Sequence, residues 1–224
     1  SSIIKMGRYL KNKKLLSQNF SYDEKMEHDA CGVGMIATTN GKKSRKIVEY
    51  GIEALKAIWH RGAVDADGKS GDGAGIQIEI STDFFKEKII STGQTLDETK
   101  RICVGMVFLP RTDYADQEKC REIIESVLLE ENYHIYGWRQ VPFNSQVLGK
   151  TAEQSRPEIA QVMFKKNKNL QTNDLERDLF ETRKKIEKLA RENQLKNFYI
   201  CSLSSRSIVY KGMFLAEMLS DFYT

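Results

Sequence analysis

Hydrophobic and polar positions follow two periods along this chain, and the switches between them mark its elements. Residues 44–59 place Ile47, Val48, Gly51, Ile52, Leu55, Ile58 and Trp59 on one stripe at helical spacing, which predicts an amphipathic helix. Residues 76–80 (IQIEI) alternate with period two and predict a strand. Residues 102–109 (ICVGMVFL) are apolar throughout and stop at Pro110, as expected of a strand buried on both faces. Residues 114–131 predict a helix with Ile123, Val127 and Leu128 inward, and 133–141 predict a strand. The charged stretch 174–195 keeps Leu175, Leu179, Ile186 and Leu189 on one face and predicts a long surface helix. Residues 198–203 and 207–210 predict a hairpin turning at 204–206, and 214–222 open a last helix. Near the other end, 31–38 (CGVGMIAT) predict a short buried strand, and 61–75, with five glycines and no apolar run, predict a loop.

These strands and helices do not alternate as βαβ units. They predict an α+β class, with strands in sheets and helices packed outside. A chain of 224 residues buries roughly 70% of its unfolded surface and needs no disulfides to be stable. No apolar run approaches the roughly 20 residues of a membrane span. The net charge of +4 does not indicate a nucleic-acid partner, because Lys and Arg are interleaved with Asp and Glu. The four cysteines are far apart and there are three histidines, a pattern that argues against a metal site and for a reducing compartment. Cys103, Cys120 and Cys201 lie in apolar surroundings and read as core residues.

Residues 1–30 form a leader, separate from a domain over 31–224. Its first 20 residues carry five basic and no acidic side chains and lack the apolar stretch of a secretory signal. In MEHDACGVG, the glycines after Cys31 leave its sulfur uncrowded and let backbone amides approach a ligand, although a core role would suit the same residue. Arg61 follows 30 residues later, at the end of the first helix. It either caps that helix's C-terminus or returns to Cys31, where its charge would favour thiolate. Gly71, Asp72 and Gly73 open a run, GDGAG, that can bring backbone very close to a ligand or another segment. Gly68-Lys69-Ser70 is no phosphate loop, since Ala63 stands where its first glycine belongs.

Taken in order, DACGVG, LKAIWHRGA, SGDGAG, VGMVFLP, YGWRQVP, LG and FYICSLSSRSIVYKG resemble the class II glutamine amidotransferase domain that opens glutamate synthases. The likeness runs from about Tyr22 to the end. Other class II amidotransferases share the Cys-Gly start and the Arg-Gly pair but not the GDGAG or YGWR blocks.

The resemblance implies an N-terminal nucleophile hydrolase, a four-layer αββα sandwich, incomplete in this stretch of chain. It implies L-glutamine as substrate, Cys31 as nucleophile and Arg61 as support of the nucleophile loop, with Gly71, Asp72 and Gly73 near the substrate. Removal of the leader would expose the Cys31 α-amine as the base. The ammonia released would serve reductive amination of 2-oxoglutarate in the remaining synthase domains. Those domains would carry FMN, an iron–sulfur cluster and an electron source, either ferredoxin or NAD(P)H with FAD; no cofactor is expected within these residues. The family's oxyanion hole and glutamine anchors are expected beyond residue 224, so the stretch alone is expected to be inactive. The compartment implied is cytoplasmic, or a plastid if the leader is a targeting remnant. Another class II amidotransferase, or a non-catalytic interaction module, are the alternatives.

Overall fold

The computed structural model describes residues 32–57, 66 and 69–223. Helix α1 (Arg45–Ala57) is followed by β1 (Ser70–Glu79), α2 (Thr82–Ser91), β2 (Cys103–Leu109), α3 (Tyr114–Glu130) and β3 (Tyr133–Gln140). Then come a 3-10 turn (Ser145–Val147), α4 (Lys150–Ser155), β4 (Glu158–Lys166), α5 (Thr172–Glu192), β5 (Tyr199–Ser204) and β6 (Ser207–Phe214). A second 3-10 turn (Ala216–Met218) leads into α6 (Leu219–Phe222). The described residues from Val33 onward form one compact unit.

The strands build two antiparallel sheets, one of four strands in the order β3-β4-β2-β5 and one of two, β1-β6. Period two divides the four-stranded sheet between two cores. Cys103, Val107 and Leu109 of β2, with Ala160, Val162 and Phe164 of β4, meet Ile124, Val127 and Leu128 of α3 and Leu175, Leu179 and Ile186 of α5. Val104, Met106, Ile159 and Met163 turn the other way, to Phe85 and Ile89 of α2, Ile208 and Phe214 of β6, and Leu219 and Phe222 of α6. The layers are therefore a helix pair, a four-stranded sheet, a second core and a two-stranded sheet, with α1 close against β1 at Gly51 and Ile76. This is the α+β class expected.

Most elements fall where the hydrophobic pattern put them, because each needs only local periodicity. α3 begins at Asp113, whose carboxylate accepts the Asp116 N–H at 3.0 Å. α5 buries Leu175, Leu179, Thr182, Ile186 and Ala190 along one stripe, and Leu189 is partly buried beside it. Cys103, Cys120 and Cys201 are buried free thiols. β4, α2 and α4 have no counterpart in the sequence reading, although β4 follows Pro157 and is apolar through most of its length.

Four expectations need correction. Residues 32–38 belong to no strand and are mostly exposed, Val33 at 96% and Met35 at 91%. Apolar content makes a strand only where an edge receives its backbone. Residues 70–75 are not loop but the opening of β1, made possible by backbone pairing with β6. β5 and β6 are not a hairpin, because the turn between them passes from one sheet to the other. Finally, the end of the chain holds β6, a 3-10 turn and the four-residue α6 in place of one helix.

Candidate active site

Gly71, Asp72 and Gly73 are brought together in one irregularity of β1. Ser70 pairs with Phe214 and Ala74 with Gly212, so three residues on β1 face the single residue Met213 on β6. The strand bulges there by two extra residues, a device found where strands bend beside functional sites. Gly73 has φ +120°, which L side chains avoid, and a Cβ on it would lie 3.3 Å from the Gly212 carbonyl oxygen. At Gly75 a Cβ would come within 2.9 Å of the Tyr210 carbonyl oxygen. The glycines thus serve first to let β1 lie close along β6.

Cys31 and Arg61 lie outside the described residues, as do residues 1–30, expected above to be a leader. Downstream of Cys31, a turn closes with the Gly41 N–H on the Thr38 carbonyl, and the Asn40 side chain accepts the Lys42 N–H at 3.0 Å. Asn40-Gly41 therefore serves as a local turn. Lys43 then fastens this segment to the far end of β1, donating to the Ile80 carbonyl at 3.1 Å and facing Glu79 Oε2 at 3.4 Å.

The YGWR block sits on a second bulge. Ile135 pairs with Phe164 and Gly137 with Met163, which leaves Tyr136 as the extra residue, with Gly137 at φ +146°. The insertion reverses the alternation, so Ile135 and Trp138 pack against the helix-side core while Tyr136 joins the core between the sheets. Trp138 donates its indole N–H to Glu125 at 2.7 Å beneath the Arg121 guanidinium. Arg139 is turned toward the second core, where it donates to Gln161 Oε1 at 2.7 Å and lies 5.0 Å from the Phe84 ring centre. Burial lowers the Arg139 pKa.

Gln161 was not singled out in the sequence. It is fully buried, and its amide also donates to the Tyr210 hydroxyl at 3.3 Å. No local pattern marks it, since it occupies an ordinary inward position of β4. Among the described residues no cluster of His, Cys, Asp or Glu could hold a metal ion, and no helix is long and apolar enough to cross a membrane. Burial pushes the thiols up, Cys120 to about 11, Cys201 to about 12 and Cys103 well above the usual thiol range. These three buried and separate thiols of the described residues do not fit an iron–sulfur cluster.

Residues 31–224 match the family of class-II glutamine amidotransferases, and the chain belongs to that family. Within it, the chain is similar to glutamate synthases. It is 51% identical to the large chain of the NADPH glutamate synthase of Azospirillum brasilense over 95% of its own length and 14% of that protein. It is 44% identical to a ferredoxin-dependent glutamate synthase of Pyropia yezoensis, over 88% of this chain and 13% of the relative. The chloroplastic ferredoxin-dependent enzyme of Oryza sativa is 39% identical over 88% of this chain and 12% of its own. The chain thus spans about one seventh of the length of these curated relatives, or less.

Proposed function

We propose that this chain is the glutaminase part of a glutamate synthase and releases ammonia from L-glutamine. The observation that carries the reading is that the family match begins at Cys31 itself. Cys31 Sγ attacks the glutamine side-chain carbonyl carbon, the C–N bond breaks, and ammonia departs from a γ-glutamyl thioester. Water then cleaves the thioester to glutamate and the free thiol. The base is the α-amine of Cys31 once the leader is removed at the Ala30–Cys31 bond. Its pKa of about 7.7–8.0, against about 10.4 for lysine, leaves a useful fraction unprotonated near neutral pH.

In this reading Arg61 holds the nucleophile loop through the planar fork of its guanidinium. The bulge at Gly71, Asp72 and Gly73 borders the glutamine pocket. Ammonia passes to other synthase domains and aminates 2-oxoglutarate there, with FMN, an iron–sulfur cluster and electrons from ferredoxin or NAD(P)H. None of that chemistry is assigned to residues described above. The protein works in the cytoplasm of a bacterium or in a plastid.

The test uses the intact protein. Cys31→Ala should abolish glutamine-dependent glutamate formation and spare the ammonia-dependent reaction, and the active protein should begin at Cys31 on N-terminal sequencing. Equal loss of both activities, or a fully active preparation with Ala30–Cys31 intact, would overturn the reading. Arg61→Lys keeps the charge but not the fork, and should lower the glutamine-dependent rate about tenfold or more with little change in melting temperature. A full rate would return Arg61 to a helix-capping role.

A further inference from the structure

A polar row crosses the four-stranded sheet on the face toward β6. Arg139 pairs with Gln161, Gln161 with Met106, and Met106 with Ser202, each directly opposite the next, so one residue comes from each of β3, β4, β2 and β5. The bulge at Tyr136-Gly137 brings Arg139 into this row. A second irregularity, which leaves Cys201 unpaired between Ser202 and Ile200, does the same for Ser202. Two neighbouring residues of β6 bond to it. The Gln161 amide donates to the Tyr210 hydroxyl at 3.3 Å, and the Val209 N–H donates to the Ser202 hydroxyl at 3.1 Å. Gln161 Nε2 also lies 3.5 Å from Met106 Sδ.

A buried amide is costly unless its partners are fixed, so each of these bonds specifies a position as well as contributing energy. Apolar packing alone would tolerate small slides of β6 over the sheet; a hydroxyl pinned to Gln161 does not. Tyr210 in turn fixes β1, because it pairs with Ile76 and its carbonyl oxygen stands where a Cβ on Gly75 would press. The glycine bulge ends at Gly73, two residues before Gly75.

We propose that Arg139, Gln161 and Tyr210 are positioning residues for the glutaminase reaction: the row seats β6, and β6 places the Gly71–Gly73 bulge against bound glutamine. This rests on the function proposed above. Arg139 orients the Gln161 carboxamide by holding its oxygen, which leaves the NH2 group facing Tyr210. The tyrosine hydroxyl is the one polar atom of the β6 side chains that reads this orientation.

The experiment measures glutamine-dependent and ammonia-dependent activity of the intact protein carrying Tyr210→Phe, Gln161→Met and both. Tyr210→Phe deletes a single oxygen. It should raise KM for glutamine roughly threefold to tenfold, the range expected for one lost hydrogen bond, while kcat and the ammonia-dependent rate change by less than about twofold. The double variant should be no worse than Gln161→Met alone, since the two act through one contact. An unchanged KM in Tyr210→Phe, or additive effects in the double variant, would overturn the proposal. Should Gln161→Met fail to fold, the KM of Tyr210→Phe still decides. The outcomes separate from those of the underlying reading. If Cys31→Ala stops glutamine use and Tyr210→Phe leaves KM unaltered, only the positioning role falls; if Cys31→Ala keeps glutamine use, the glutaminase reading falls with it.

Discussion

The carboxylate of Glu176 on α5 accepts both the backbone N–H and the hydroxyl of Ser205, each at 2.7 Å. Its second oxygen accepts the Ser204 hydroxyl at 2.8 Å, and Ser204 Oγ in turn accepts the N–H groups of Arg206 and Ser207. One helix side chain thereby satisfies the sharp passage from β5 to β6, where the chain changes sheets and Ser205 is buried. Glu176→Gln preserves the shape but turns an amide NH2 toward donors. It should cost about 1–3 kcal/mol of stability, read as a fall in the urea midpoint at unchanged slope. A shift below roughly 0.5 kcal/mol, the usual range for surface changes, would show that the corner holds without it.

Gly105 tests the packing of the central strand. A Cβ there would stand 2.7 Å from Val162 Cγ1 and 2.9 Å from Leu203 Cδ1, its neighbours on the two flanking strands. Gly105→Ala should destabilise by about 1–3 kcal/mol through overpacking, although alanine is otherwise the better residue for an ordered chain. Recovery of most of that loss in a Gly105→Ala, Val162→Ala double variant would locate the strain. If the double variant is merely the sum of two losses, the contact is not its source.

Gly73→Ala addresses the bulge. At φ +120° the added methyl strains the backbone by about 1–3 kcal/mol and presses on the Gly212 carbonyl. The expected result is a raised KM for glutamine in the intact protein, with ammonia-dependent activity retained. Gly93→Ala, a positive-φ glycine with open space around it, is the control for strain alone and should leave that KM unchanged. Equal KM values in the two variants would dissociate the bulge from substrate.

Thiol burial sets an alkaline trend. Cys120, Cys201 and Cys103 stay protonated in the fold well above the unfolded thiol pKa of about 8.5. From about pH 8 up to about pH 11 the unfolded chain therefore binds fewer protons than the native one, and stability falls as pH rises; near pH 7 these groups have little effect. Urea midpoints at pH 7.5 and 9.5 should show the drop, and Cys201→Ala should reduce its pH slope. The same thiols should resist alkylation at pH 8 until urea is added. Rapid labelling of native Cys201 would contradict the burial.

What was legible in the sequence was whatever depends on neighbours in the chain. α3 and α5 declare themselves by an apolar stripe at helical spacing, β2 by an uninterrupted apolar run ended at Pro110. The errors share a different cause. Residues 207–210 look like the second arm of a hairpin, and partners distant in sequence, Glu176 and Ile80 among them, make 204–206 a corner between sheets. The glycine-rich run at 71–75 looks like a loop because it lacks side chains, whereas at Gly73 and Gly75 that smallness is what admits β6. Of the candidate site, Cys31, Arg61 and the Gly71–Gly73 bulge carry local marks. Gln161 and Tyr210 carry none, since each matters only through a partner on another strand.

The two-stranded sheet has a temporal meaning as well. Its strands lie far apart in the chain, with the side chains of Gln77 and Ser207 meeting across 130 residues of sequence. Closing so long a loop delays the reward for pairing. On a ribosome, β1 emerges first and must wait, while β2 to β5 and their helices can already assemble. The bulge therefore acquires its shape only after β6 has been synthesised and laid down. A nascent chain stalled just before residue 207 would hold β2 to β5 with the Gly71–Gly73 bulge still unformed, so that backbone takes its shape later than the sheet beside it.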